Sequence, residues 1–338
     1  MLVDAMLSMS FDEIGGHARA LEAAGYDGGF TMETTHDAFL PLALAIEATE
    51  RLEVGTSIAV AFARTPMTVA IMANDLQVQS KGRFVLGLGS QIKPHIERRY
   101  SMTWSSPAAR MREFVLAMRA IWTSWHDGTK LDFDGEYYTH TLMTPFFSPG
   151  VSEYGQPKVW LAAVGERMTE VSGEVADGMI VHPFTTERYL REVTLPAIER
   201  GLVRGGRPRA GFEVSAPLFV VTGANDAEMA AAASATRQQI AFYGSTPGYR
   251  GVLELHGWGE VGDELNAMSK RGDWVAMGEL VTDEMLDTFA VVAEPDAVAP
   301  KLYARFGDVV DRLTFAMAPT ADPETTRAMV ASLRGAAR

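Results

Sequence analysis

Leu52-Glu53-Val54-Gly55-Thr56-Ser57-Ile58-Ala59-Val60, then Arg64-Thr65-Pro66, then Ser80-Lys81-Gly82-Arg83-Phe84-Val85-Leu86-Gly87-Leu88-Gly89-Ser90 decide the fold. The first run is rich in β-branched residues and reads as a strand. Thr65 is placed to cap a helix whose first position is Pro66, where a missing N–H costs nothing. Val69, Met72, Ala73 and Leu76 then fall on one helical face, and Gly82 ends the helix. Phe84 to Leu88 is the next strand. Strand, helix, strand with short turns is the pattern of a parallel sheet with helical crossovers.

The same alternation extends both ways. Val3–Leu7 reads as a strand, and Ser10-Phe11-Asp12-Glu13 as a capping box for a helix carrying Ile14, Ala18 and Leu21. Gly28–Met32 is a strand and Phe39–Glu50 a helix. Downstream, Ser106-Pro107 opens a long helix with Met111, Phe114, Val115, Met118, Ile121, Trp122 and Trp125 on one stripe. Phe133-Asp134-Gly135-Glu136-Tyr137-Tyr138 reads as a hairpin outside the alternation. Strands follow at Lys158–Ala163, Asp177–His182, Phe212–Thr222 and Val309–Met317. Helices follow from Arg167, over Thr186–Arg204, from Asp226 and over Pro323–Leu333. Residues 244–300 read as a mostly helical insertion within one domain spanning residues 1–338. Eight strand–helix units predict an α/β fold, a (β/α)₈ TIM barrel with insertions.

Composition narrows the function classes. The chain has 338 residues, 47% apolar and 22% charged, with a net charge of −13. This is a globular composition, and its acidity argues against nucleic-acid binding. There is no cysteine, so disulfides, zinc-thiolate sites and thiol nucleophiles are excluded. No apolar run reaches the length of a membrane span, and no basic region precedes an apolar segment at the N-terminus. The expectation is a soluble cytoplasmic protein acting on a small-molecule substrate.

In such barrels the chemistry sits at the C-terminal strand ends. Those ends carry Glu33-Thr34-Thr35-His36-Asp37, Ala59 to Arg64, Gly87-Leu88-Gly89-Ser90-Gln91, Ala162-Ala163-Val164-Gly165 and His182-Pro183-Phe184-Thr185. The small-residue turns either admit a flat ring or a phosphate to backbone N–H groups, or are simply tight βα turns. His36 is a candidate for proton transfer or a loop-capping residue, and Glu33 either carries the proton or orients His36. His182 either contacts a phosphate or packs. Phe242 to Trp258 is an aromatic-rich stretch that shapes a substrate pocket or a subunit contact, or else forms a satellite hydrophobic cluster. No metal is expected: there is no His-Glu-x-x-His run and no EF-hand spacing.

The ordered set from Leu52–Ile58 through Arg64-Thr65-Pro66 and Ser80–Ser90 resembles the bacterial-luciferase-like flavin and deazaflavin oxidoreductases. Arg110, Arg112 and Glu113, the 133–138 hairpin, Pro157–Gly165 and Ala176-Asp177-Gly178 continue the likeness in order. Gly244–Tyr249 and His256-Gly257-Trp258 are similar to the branch that uses coenzyme F420. The resemblance implies a barrel with a deazaflavin, or alternatively FMN, at its mouth, and a homodimer. It implies a non-prolyl cis peptide at Ser57-Ile58, beside Ala59. It places Gly87, Gly89, Ser90, Ala163, Val164 and Gly165 along the ring and ribityl-phosphate tail. Such a phosphate needs donors, and backbone N–H groups after the fifth and sixth strands, with His182 and Thr185, are the expected ones. The family's strand-2 Asp-His pair is matched here by Glu33 and His36 at a different spacing, so either residue holds the acid/base role. The implied reaction is hydride exchange between the deazaflavin C5 and an organic substrate. The runner-up is an FMN-dependent monooxygenase. A non-catalytic cofactor-binding barrel and a metallohydrolase are the readings from other classes.

Overall fold

The computed structural model describes residues 1–7, 10–317 and 323–336. Eight parallel strands close into a ring: β1 Leu2–Met6, β2 Gly28–Thr31, β3 Glu53–Thr56, β4 Phe84–Gly89, β5 Lys158–Ala163, β6 Gly178–Val181, β7 Glu213–Val221 and β8 Arg312–Met317. Neighbours in the ring are neighbours in the chain, and β8 returns to β1 through Leu2↔Arg312, Val3↔Leu313 and Asp4↔Thr314. Each of the eight strands lies where the sequence pattern puts one. The protein is a (β/α)₈ barrel.

Local sequence sets the helix ends. The Thr65 hydroxyl accepts the Thr68 N–H at 3.3 Å and opens helix Pro66–Gln79. Asn225 does the same for Asp226–Gly244 by accepting from Glu228 at 3.0 Å. The first helix differs from expectation. It runs over Ile14–Ala24 with Glu13 at the cap position, and Ser10 contributes its carbonyl to the preceding turn. All seven stripe residues of helix Pro107–Asp127 are buried. A large apolar side chain fully buried contributes about 1.5–3 kcal/mol, so this face alone docks the helix firmly. Its end is set by Gly128 in the left-handed region.

Two features interrupt the alternation. Phe133–Asp134 pairs antiparallel with Thr139–His140. Glu113 fastens this hairpin by accepting the N–H groups of Glu136, Tyr137 and Tyr138. The second is the insertion after Gly244, which packs a separate apolar cluster including Phe184, Phe219, Ile240, Leu253, Leu265, Met285 and Phe289. Its helical part reaches Phe289. Ala290–Val292 is then a strand, unforeseen in the sequence, that pairs with Phe219–Val221 of β7. Helix Pro295–Phe306 beyond it is the crossover that feeds β8. Three residues between helices are too few to show a period of two.

The N-terminal end of the barrel is plugged by ions. Arg312 is fully buried. Its Nε and Nη2 donate to Asp4 at 2.9 and 2.7 Å, and its Nη1 to Glu53 at 2.5 Å. Burial opposes the charge, yet Asp4, Glu53 and Glu213 together hold the guanidinium above its ordinary range. The Trp160 ring lies over it at 5.3 Å and stacks on Phe30 at 5.5 Å. With Val85 and Ile180 these rings fill the barrel interior. Among the described residues, no helix is long and apolar enough to cross a membrane.

Candidate active site at the barrel mouth

The run read as one strand over Leu52–Val60 is broken. Val54 and Gly55 pair with Phe84 and Val85, but Ala59 and Val60 pair with Leu88 and Gly89. Four residues therefore span three of the partner, which defines a bulge. The Ser57-Ile58 peptide within it is cis. Gly87 and Gly89 are accounted for by this bulge. A Cβ on Gly87 would collide with the Thr56 carbonyl oxygen, and one on Gly89 would lie 2.9 Å from Ile58. The Thr56 hydroxyl closes the contact, accepting from Gly87 N–H at 3.0 Å and donating to its carbonyl at 2.6 Å. Ala59 is fully buried, while Ile58 is partly exposed and packs on the interior cluster with Ala162. Ser90 turns its hydroxyl to the adjacent Gln91 carbonyl at 3.1 Å.

Beside the bulge, the β2 loop is tied down. Glu33 accepts from Val60 N–H at 2.8 Å, Arg64 at 2.6 Å and the Tyr100 hydroxyl at 3.1 Å. Its own N–H donates to the Ile58 carbonyl at 3.1 Å. Asp37 receives the other arm of Arg64 at 2.8 Å and accepts the N–H groups of Phe39 and Leu40 that begin helix Leu40–Glu47. His36, between these carboxylates, is exposed and makes no hydrogen bond among the described residues.

Across the mouth, Ala163, Val164, Gly165, His182 and Thr185 line one small cavity, as the sequence grouped them. The insertion closes it with Gly248, Tyr249, Gly251 and Val252. Helix Glu166–Val175 starts at this cavity, and the first-turn N–H groups of a helix lack intrahelical acceptors. The Thr185 hydroxyl is buried in the wall with no hydrogen-bond partner. His182 accepts the Phe184 N–H on Nδ1 at 3.1 Å, so its neutral ring carries the proton on Nε2. Its ring centroid lies 4.7 Å from Tyr243 and 4.2 Å from Tyr249. Burial there pushes the imidazole down to about 4, so it is uncharged at neutral pH.

This donor set fits a phosphate-bearing cofactor. A buried orphan hydroxyl, a neutral imidazole N–H and open helix N–H groups together supply donors to an anion. Among the described residues, no group of three or more His, Asp or Glu is placed to hold a metal ion. Sequence reasoning assigned no role to Arg64 or Tyr100, although Arg64 stood inside a quoted motif. Their partners are distant in sequence, so no local pattern reveals them. Tyr249 belongs to the aromatic-rich stretch expected to shape a pocket or subunit contact or to form a satellite cluster, and it lines the cavity.

The luciferase-like monooxygenase family model matches residues 3–312. An uncharacterized protein of Mycobacterium tuberculosis is 61% identical over 296 residues, covering 88% of this chain and 87% of its own length. The 5,10-methylenetetrahydromethanopterin reductase of Archaeoglobus fulgidus is 28% identical over 305 residues, covering 87% and 86%. Among solved structures, the coenzyme F420 dependent tetrahydromethanopterin reductase of Methanopyrus kandleri superposes with a TM-score of 0.76 at 18% identity, covering 98% of this chain and 96% of that one. With the barrel, the bulge and a match along almost its whole length, the chain belongs to the luciferase-like monooxygenase family, a family of oxidoreductases.

Proposed function

We propose that the protein is a coenzyme F420-dependent oxidoreductase acting on a small organic substrate. The carrying observation is the buried, unpartnered Thr185 hydroxyl in the cavity where a helix begins. The segment Gly244–Tyr249, which resembles the deazaflavin branch, helps wall that cavity through Gly248 and Tyr249. The reductase relative from Archaeoglobus fulgidus supports the same reading. When bound, the deazaflavin supplies a C5 that takes or gives a hydride. Backbone N–H groups from Gly165 onward, the Thr185 hydroxyl and His182 Nε2–H would hold its phosphate. The bulge at Ser57-Ile58 and the apolar residues behind it would keep water from the ring. His36 gives or takes the substrate proton, because its imidazole is free where Glu33 is committed to three donors. An anion at His182 is bound by hydrogen bonding rather than charge, since the ring is neutral.

The second reading, an FMN-dependent monooxygenase, draws on the family's own description and on a phosphate site that suits either cofactor. Titration of the purified protein with oxidised F420 and with FMN, followed by fluorescence quenching, separates them. F420 is expected to bind at least about tenfold more tightly, a difference of about 1.4 kcal/mol. Preference for FMN transfers the assignment to the oxygenase, and binding of neither removes the cofactor reading.

A further inference from the structure

The β2 loop is tied down on both sides of His36, at Thr31, Glu33, Thr34 and Asp37. The Thr31 hydroxyl donates to the Ala38 carbonyl at 2.6 Å, closing the loop at its base. The Thr34 carbonyl accepts from Arg99. Glu33 and Asp37 are bridged by one guanidinium, that of Arg64, which also donates to the Val60 carbonyl at 3.2 Å and lies 5.2 Å over the Phe39 ring. The Arg64 side chain is 15% exposed and that of Glu33 7%. Four features of one planar fork are thus used at once: two carboxylates, a carbonyl and an aromatic face. A lysine has no such geometry. The clamp also joins the β2 loop to the segment immediately after the cis bulge, because Glu33 accepts from Val60 and donates to Ile58.

We infer that Arg64 is a positioning residue: by bridging Glu33 and Asp37 it fixes the β2 loop so that His36 stands free at a set place relative to the bulge. The role rests on the hydride-transfer reading, with His36 as proton carrier. Glu33 belongs to the clamp rather than to proton transfer. A clamp that acts through His36 has a signature that a purely structural ion pair lacks. Its loss is felt in turnover when His36 is present and is not felt when His36 is gone.

The test has two arms. In the cofactor-free protein, hydrogen exchange over residues 33–40 is compared among wild type, Arg64→Lys and Arg64→Ala. Both variants are expected to exchange at least about tenfold faster there, with the strands unchanged. Should Arg64→Ala fail to fold, Arg64→Lys and Asp37→Asn carry this arm. In the F420-loaded protein, oxidation of reduced F420 is followed with a panel of aldehydes, ketones and enones. Arg64→Lys is expected to lower kcat about tenfold or more, with little change in KM. The same substitution in a His36→Ala background is expected to add less than about twofold. Unchanged exchange in the variants, or an equal loss of kcat with and without His36, overturns the inference. If wild type fails to bind F420, the functional reading falls, while the exchange arm still decides whether the clamp exists.

Discussion

The two ends of the barrel solve opposite problems with the same residue types. At the N-terminal end, Arg312 meets Asp4 and Glu53 and is fully buried. At the mouth, Arg64 meets Glu33 and Asp37 and stays partly exposed. The floor leaves its guanidinium fully occupied. The mouth leaves the Thr185 hydroxyl, the His36 imidazole and a helix first turn without protein partners. The contrast lies in the two guanidiniums and their surroundings: Arg312 is closed off by its carboxylates under the Trp160 ring, whereas Arg64 is partly open beside a free imidazole.

The largest effect is expected at the floor. Arg312→Met leaves Asp4 buried without its partner and should cost about 3–5 kcal/mol, read from urea denaturation. F420 affinity of the remaining folded protein should not change. Asp4→Leu together with Arg312→Met should recover much of the loss. An Arg312→Met protein as stable as wild type would remove the contrast between the two ends.

A smaller effect is expected from His182. Its folded value near 4 lies below the ordinary 6.5. The unfolded chain therefore binds the proton first as pH falls, and stability present above 6.5 is lost toward 4. The shift corresponds to up to about 3 kcal/mol. Asp4 runs the other way, because burial lifts it to about 6 and it favours the folded state as it takes up a proton. The informative quantity is therefore the difference between wild type and His182→Gln in denaturation at pH 7 and pH 4.5. Wild type should lose stability relative to His182→Gln on acidification, and a difference that does not move in the variant's favour contradicts a buried neutral imidazole.

Thr185→Val is the mildest and sharpest test. Removing an unpartnered buried hydroxyl at constant shape should leave stability equal or higher. F420 affinity should fall about tenfold, or about 1.4 kcal/mol. Loss of stability with unchanged affinity would make Thr185 part of the frame.

What was legible follows from range. The eight strands, and caps such as that at Thr65-Pro66, are written in periods and dipeptides a few residues long, whereas the capping box expected at Ser10–Glu13 is not the one the first helix uses. The cavity residues Ala163, Val164, Gly165, His182 and Thr185 were found together because barrel topology collects strand ends. The function of Glu33 was not legible, because its partners Val60, Arg64 and Tyr100 lie 27, 31 and 67 positions away. Gly87 and Gly89 drew notice as open space for a ring, yet their neighbours are Thr56 and Ile58 on the adjacent strand. Arg312 drew no reading inside the strand expected over Val309–Met317, because its partners Asp4 and Glu53 lie at the far end of the chain.

The strand β7 changes partners along its length. Glu213 to Ser215 pair with β6, while Phe219 to Val221 pair with Ala290–Val292 at the end of the insertion. The hydrogen-bonded ring is sealed below, and above it the seam between β6 and β7 is filled by inserted chain. The inserted chain, which also supplies Gly248, Tyr249, Gly251 and Val252 to the cavity wall, can therefore change length or sequence without breaking the lower ladder that closes the ring.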